Sequence, residues 1–224
     1  MIDLPVQTVL PQVAEALRTR ATAVLTAAPG AGKTTLVPPY LLKTLCPAGK
    51  KIVMLEPRRL AARASARRIA ALLGEPVGGT VGYRTSFYTR VSAATRIEVL
   101  TEGILTRLIQ EDPELSGIDT VIFDEFHERS IHADLALALC LDIRSALRED
   151  LKLLVMSATM DASKVSALLG SAPIIESPGR RYPVRTVYRK RPDPSAPPER
   201  DALQAIRAAV REETGDLLVF LPGE

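Results

Sequence analysis

The sequence predicts an α/β fold built on a parallel sheet, and three observations carry that prediction. A glycine-rich stretch, Ala27 to Thr35 (AAPGAGKTT), follows a short apolar run (Ala23, Val24, Leu25) and precedes a helical pattern. Compact apolar runs of strand length alternate with helical segments along most of the chain. Two adjacent carboxylates, Asp124 and Glu125, close one of those runs. Alternation of this kind gives a parallel sheet covered by helices, with ligands in the crevices outside the carboxyl ends of the strands.

With 224 residues the chain can bury one substantial core and forms one domain, or one domain and part of another. A formal charge of +3 is too small to argue for nucleic acid by itself, so the placement of charge has to carry that case. Cys46 and Cys140 stand alone in apolar, helix-like surroundings, which suggests neither a disulfide framework nor a zinc site and fits a reducing cytoplasm. Met1 to Leu17 has no basic start followed by an apolar core. No apolar stretch approaches the ~20 residues a membrane span requires, so neither an address signal nor an anchor is expected.

Val13 to Arg18 reads as a short helix covering the sheet. In the glycine-rich stretch, Gly30, Ala31 and Gly32 let successive N–H groups converge on a polyphosphate, and the helix beginning near Lys33 adds its positive end. Lys33 reaches the β/γ-phosphates, the Thr34 hydroxyl is placed to hold Mg²⁺, and Thr35 is counted with them among the nucleotide-binding residues. The G-x-x-x-x-G-K-[ST] pattern is met except at its first position, Ala27. Pro38 and Pro39 predict a kink or a break in the following helix, since each removes a donor and crowds the preceding turn. Lys51 to Leu55, Arg96 to Leu100, Thr120 to Phe123 and Leu151 to Met156 read as buried strands. Helices are expected from about Arg58 to Leu73, with Gly74 as its stop, and from Ala133 to Leu147. Arg189 to Arg200 (RKRPDPSAPPER) reads as a Pro-rich linker. A helix over Asp201 to Glu213 and a strand over Leu217 to Leu221 would then begin a second domain that is incomplete at Glu224.

Opposite a phosphate loop, Asp124 would hold Mg²⁺ and Glu125 would orient or deprotonate the attacking water. Adjacent residues of a strand point to opposite faces, so both can serve only if the strand ends there and the backbone turns. An isolated Asp-Glu pair would instead be a polar strand end ahead of a helix.

The run DEFHERS, Asp124 to Ser130, resembles motif II of the DEAH-box helicases of superfamily 2. Other segments resemble further motifs of that family in the right order: EPRRLAARASARRIA (Glu56 to Ala70), TEGILTR (Thr101 to Arg107), SAT (Ser157 to Thr159) and LVFLPGE (Leu218 to Glu224). The wording is most similar to a bacterial branch of the family. The resemblance implies a RecA-like P-loop NTPase domain over residues 1–188, a linker over 189–200 and the start of a second RecA-like domain over 201–224. It implies ATP and Mg²⁺ as cofactors. It also implies a single strand of RNA gripped by Arg58, Arg59, Thr101, Glu102 and Gly103, with DNA left open. By the same resemblance Arg68 stacks on the nucleotide base, and His127, Ser157 and Thr159 couple loss of the γ-phosphate to domain movement. For Arg63 and Arg67 a solvated helix face is the expectation. Two positions depart from the family pattern: Phe126 stands where Ala is usual, and Ser86, in VGYRTSFY (Val81 to Tyr88), where a basic residue is common.

The leading expectation is an ATP-driven RNA translocase or unwinding enzyme that needs the rest of its second domain for full activity and has no membrane partner. A nucleotide-gated RNA-binding module with little hydrolysis and a small-molecule phosphotransferase are the alternatives. The phosphotransferase is disfavoured, because no feature accounts for an acceptor pocket.

Overall fold

A computed structural model describes residues 4–158, 161–179, 184–188 and 198–221. They fall into two compact units, Met1–Arg180 and Arg181–Glu224.

In the first unit a 3-10 turn, Pro5–Val9, leads into α1 (Leu10–Arg20). β1 (Thr22–Ala27), α2 (Lys33–Thr44), β2 (Lys51–Glu56) and α3 (Arg59–Leu72) follow. Then come β3 (Val81–Arg84), β4 (Thr89–Arg90), β5 (Ile97–Thr101), α4 (Glu102–Glu111) and β6 (Ile118–Phe123). α5 (Ile131–Ala146), β7 (Lys152–Ser157), α6 (Ala162–Leu168) and β8 (Ile174–Ser177) complete it. The strands form one sheet in the order β4-β3-β5-β2-β6-β7-β1-β8, parallel except for the short β3–β4 pair. This is the RecA-like P-loop architecture.

The strands are near-continuous apolar runs because both faces of the sheet are covered. On one face, Leu25, Met54, Ile122, Leu154 and Met156 pack against the 3-10 turn, α1, α2 and α3. On the other, Val24, Val53, Val121, Phe123 and Val155 pack against α4, α5 and α6. α3 buries Ala62, Ala66, Ile69 and Ala70, one stripe at helical spacing. It is followed by Gly74 at φ 74, a left-handed conformation that glycine adopts at little cost.

Three expectations are corrected. α2 runs through Pro38 and Pro39 without a break, its Val37 and Leu41 fully buried against the sheet; packing of that face outweighs the two missing donors. β3, β4 and β8 were not anticipated, because VGYR, TR and IIES are too short to stand out as strand patterns. In the second unit α7 (Pro198–Glu212) forms with Pro198 at its first position, where the ring fits. Leu217 to Leu221, expected as a strand, is exposed and unpaired among the described residues. A strand exists only by exchanging backbone hydrogen bonds with a neighbour, and local sequence cannot supply one. Residues 189–197 of the expected linker lie outside the described residues.

Ile122 is fully buried on β6, between β2 and β7. Truncation by Ile122→Ala is expected to cost about 2–5 kcal/mol through lost burial and the cavity left behind. Urea unfolding would show this as a lower midpoint at unchanged slope.

Candidate nucleotide-hydrolysis site

The site forms where β1 and β6 end. β1 stops at Ala27, and the chain turns through Gly30 (φ 78) and Gly32 (φ 92) before α2 starts at Lys33. Gly32 has two reasons to be glycine. Its φ is left-handed, and an added Cβ would lie 2.7 Å from Leu4 Cδ1. The amino-terminal turn also fixes the loop directly, since Val6 N–H donates to the Ala31 carbonyl at 3.1 Å. Thr35 faces back into the turn, its hydroxyl donating to the Gly32 carbonyl at 3.3 Å.

Across from this loop β6 ends at Phe123, and Glu125 takes a left-handed conformation at φ 49. The turn brings both carboxylates to the phosphate loop. Thr34 Oγ1 donates to Asp124 Oδ2 at 2.5 Å, and Lys33 Nζ lies 2.8 Å from Glu125 Oε1. The other oxygen of Asp124 accepts from Glu125 N–H at 2.8 Å. His127 Nδ1 is 3.4 Å from Glu125 Oε2 but is buried without a hydrogen-bond partner among the described residues. Ser157 ends β7, in register with Thr26 of β1; its hydroxyl is buried and also lacks a partner among the described residues. Thr159 lies outside the described residues.

The electrostatics of the pocket are acidic. Asp124 is 4 % exposed, and that burial pushes its carboxyl up to about 6, against the Thr34 hydrogen bond and the Lys33 charge that favour ionisation. Glu56, at the end of β2, was not among the expected site residues. Its carboxyl is pushed up to about 8 by burial and by the neighbouring Asp124, although Ser65 of α3 donates to it at 2.9 Å. A carboxylate at the carboxyl end of a buried strand was the sequence signal for it.

The remaining candidates sit on the rim. Arg58 stands just before α3 and is exposed, paired with Glu128 through Nη2–Oε1 at 3.2 Å. Arg59 lies over the exposed ring of Phe87 at 5.1 Å. Thr101 is buried at the end of β5, and Gly103 is exposed. Glu102 does not project freely, because it accepts a hydrogen bond from Ser130, the residue that caps α5. Arg68 is exposed on α3, and none of the hydrogen bonds or ion pairs of the Lys33–Asp124 cluster reaches it. Arg63 corrects the expectation of a solvated face. Its guanidinium stacks over Tyr88 at 5.0 Å and Tyr83 at 5.9 Å, an arrangement that α3 and the β3–β4 turn create together. Phe126 fills a buried position edge-on to Phe123, ring centroids 6.1 Å apart.

Glycines curling a loop into a helix start, a buried lysine, and a hydroxyl touching a strand-end carboxylate together define a phosphate-loop nucleotide-binding domain. Residues 7–168 match the DEAD/DEAH box helicase family, and the chain belongs to that family. It is 51 % identical to the ATP-dependent RNA helicase HrpB of Escherichia coli (strain K12) across the whole chain, which covers 27 % of that protein. It is 39 % identical to the ATP-dependent RNA helicase HrpA of the same organism over 99 % of the chain, covering 17 % of that protein. The crystal structure of the E. coli DEAH/RHA helicase HrpB superposes with a TM-score of 0.90 at 50 % identity, over 99 % of this chain and 28 % of that one. A second, of the E. coli DExH-box NTPase HrpB, gives 0.82 at 49 % identity, over 100 % and 28 %. The chain thus spans about a quarter of the length of the HrpB proteins it matches.

Glu56 yields a test of the site's electrostatics. A carboxyl whose folded pKa is raised contributes stability that is complete below its unfolded value, here 4.5, and is lost as pH rises through about 8. Without nucleotide or divalent cation, the domain should therefore melt at progressively lower temperature across that interval. Glu56→Gln, neutral throughout, should flatten the profile, leaving the smaller loss due to Asp124 as it ionises toward about 6. Parallel melting curves for the two proteins would show that the buried carboxyl is already ionised.

Proposed function

We propose that the chain carries the ATP-hydrolysing core of an RNA helicase, a nucleotide-driven motor on single-stranded RNA. The observation that supports this best is the double contact between phosphate loop and strand end, Thr34 with Asp124 and Lys33 with Glu125. HrpB and HrpA bear the name ATP-dependent RNA helicase, which favours RNA as the polymer and ATP as the nucleotide.

The donor set suits magnesium: a hydroxyl and a carboxylate oxygen 2.5 Å apart at a helix N-terminus. Among the described residues no group of three His, Cys, Asp or Glu could hold a metal unaided. Magnesium needs no such cage, since it keeps waters and phosphate oxygens as ligands. Thr34 and Asp124 would hold it, and when bound it supplies positive charge against the β- and γ-phosphate oxygens. Lys33 is 4 % exposed and neutralised by Glu125. Binding of phosphate gives the ammonium a second anionic partner, which frees Glu125 to orient the attacking water and accept its proton. His127 and Ser157, both carrying buried polar atoms unsatisfied among the described residues, have hydrogen-bonding capacity beside this centre and serve as coupling residues together with Thr159.

Arg58 and Arg59, with Thr101 and Gly103, form the RNA-gripping rim. Exposed Phe87 and Tyr88 beside the arginines supply stacking faces that every base can use. Arg68 serves the nucleotide base. Residues 1–188 constitute the first RecA-like domain, 189–200 a linker and 201–224 the start of the second, whose completion full activity requires. The two free cysteines suit a cytoplasmic setting. No helix among the described residues is long and apolar enough to cross a membrane.

Lys33→Ala should abolish Mg·ATP binding, measured by fluorescent-nucleotide titration, while the fold is retained. Glu125→Gln should keep binding and stop phosphate release, whereas Asp124→Asn should blunt the Mg²⁺ dependence of binding; identical behaviour of these two variants would refute the division of roles. RNA affinity should fall with salt irrespective of sequence, at about −0.7 in log–log slope per phosphate neutralised on a single strand. The double replacement Arg58→Ala/Arg59→Ala should make that slope shallower by roughly one to two units, by the same rule.

A further inference from the structure

The segment joining Glu125 to Ser130 is tied down at three points. Glu125 is held by Lys33 of the phosphate loop, Glu128 by Arg58 at the start of α3, and Ser130 by Glu102 at the start of α4. Two left-handed residues, Glu125 (φ 49) and Arg129 (φ 52), turn the backbone twice within this span. Non-glycine residues persist in that region only where their surroundings hold them. The only regular structure between the two is the three-residue 3-10 turn Phe126–Glu128, whose Phe126 is buried. A change at Glu125 is therefore passed to Glu128 over three residues that have little independent freedom.

Glu128 stands out because of its partner. Arg58 Nη2 lies 3.2 Å from its Oε1, and Arg58 Nε donates to Oε2 at 3.3 Å, a two-pronged grip of the kind a guanidinium offers a phosphate. While that grip is made, one carboxylate cancels the charge of one arginine on the RNA-gripping rim. The Arg58 side chain is 73 % exposed, so the pair is shallow and open to exchange with an incoming anion.

We propose that Glu128 is a positioning residue that competes with an RNA phosphate for Arg58, and that nucleotide acts on this competition through the Glu125–Glu128 segment. The inference rests on the RNA-binding reading of Arg58. Phosphate bound at Lys33 loosens its hold on Glu125; the segment shifts, and the Arg58–Glu128 pair changes with it. RNA occupying Arg58 acts back on the phosphate loop along the same path, because coupling between two sites is reciprocal.

The test is a double-mutant cycle on Arg58 and Glu128, read by fluorescence anisotropy of a labelled oligouridylate at low salt, with and without Mg·ADP. Exposed ion pairs are weak, so Glu128→Gln should tighten RNA binding by only about two- to fivefold. The tightening should vanish in the Arg58→Ala background, and the change in RNA affinity caused by Mg·ADP should be smaller in Glu128→Gln than in the unaltered chain. Equal tightening in both backgrounds would reduce Glu128 to a general negative charge near the polymer and overturn the inference. So would an unchanged RNA affinity, or an unchanged response to Mg·ADP. Failure of all four proteins to bind the oligonucleotide would remove the RNA reading itself, and the inference with it, while the melting temperatures of the four establish that each is folded.

Discussion

The phosphate loop and the paired carboxylates belong to strands that are not neighbours. β7 lies between β1 and β6, so their carboxyl ends are two sheet spacings apart, roughly 9.5 Å. The Thr34–Asp124 and Lys33–Glu125 contacts close that distance over the end of β7. Ser157, at the end of β7, is small and fully buried beneath the crossing. The contacts also satisfy groups that burial would otherwise penalise. An ammonium 4 % exposed and a carboxylate equally buried cannot remain unpartnered without a large desolvation cost.

Charge at this end of the sheet is unbalanced among the described residues, where Glu56, Asp124 and Glu125 face the ammonium of Lys33. The protein can relieve the excess by protonating Glu56 and Asp124, whose carboxyls are both raised, or by taking up positive charge. A divalent cation held at Asp124 would favour the ionised form of that carboxyl. Protonation state and ligand occupancy would then be linked at the same atoms. The hydrogen bond from Ser65 ties Glu56 to α3, the helix whose first turn carries Arg58 and Arg59, so the acidic pocket and the basic rim share one rigid support.

The rim is organised by stacking as much as by ion pairing. Arg59 over Phe87 and Arg63 over Tyr88 join the start of α3 to the β3–β4 turn, where aromatic rings stand exposed. Stacked guanidinium groups keep their charge and their planar donors, so an aromatic neighbour orients an arginine without neutralising it. Glu128 and Glu102 act oppositely. Each engages a polar partner along the edge, which leaves this surface a set of held groups rather than a uniform basic face.

The sequence by itself determined the fold class, the phosphate loop with its lysine and hydroxyl, and the carboxylate pair, because each is local. A glycine that must take positive φ, an apolar run covered on both faces and a polar pair closing a strand are all legible within about ten residues. It also indicated that Asp124 and Glu125 could act together only if the backbone turned, which it does at φ 49. Tertiary structure alone decided the rest. The neutral tendency of Glu56 comes first from its burial and then from Asp124, 68 positions away in the chain and beyond the reach of any local pattern. Arg63 left the solvated face for Tyr83 and Tyr88 because α3 packs against β3. Glu102 turned to Ser130 because α4 lies along α5. The strand expected at Leu217 to Leu221 failed for the same physical reason. Helices and turns close their own hydrogen bonds, whereas strand pairing, stacking and the charge state of a buried acid depend on distant segments.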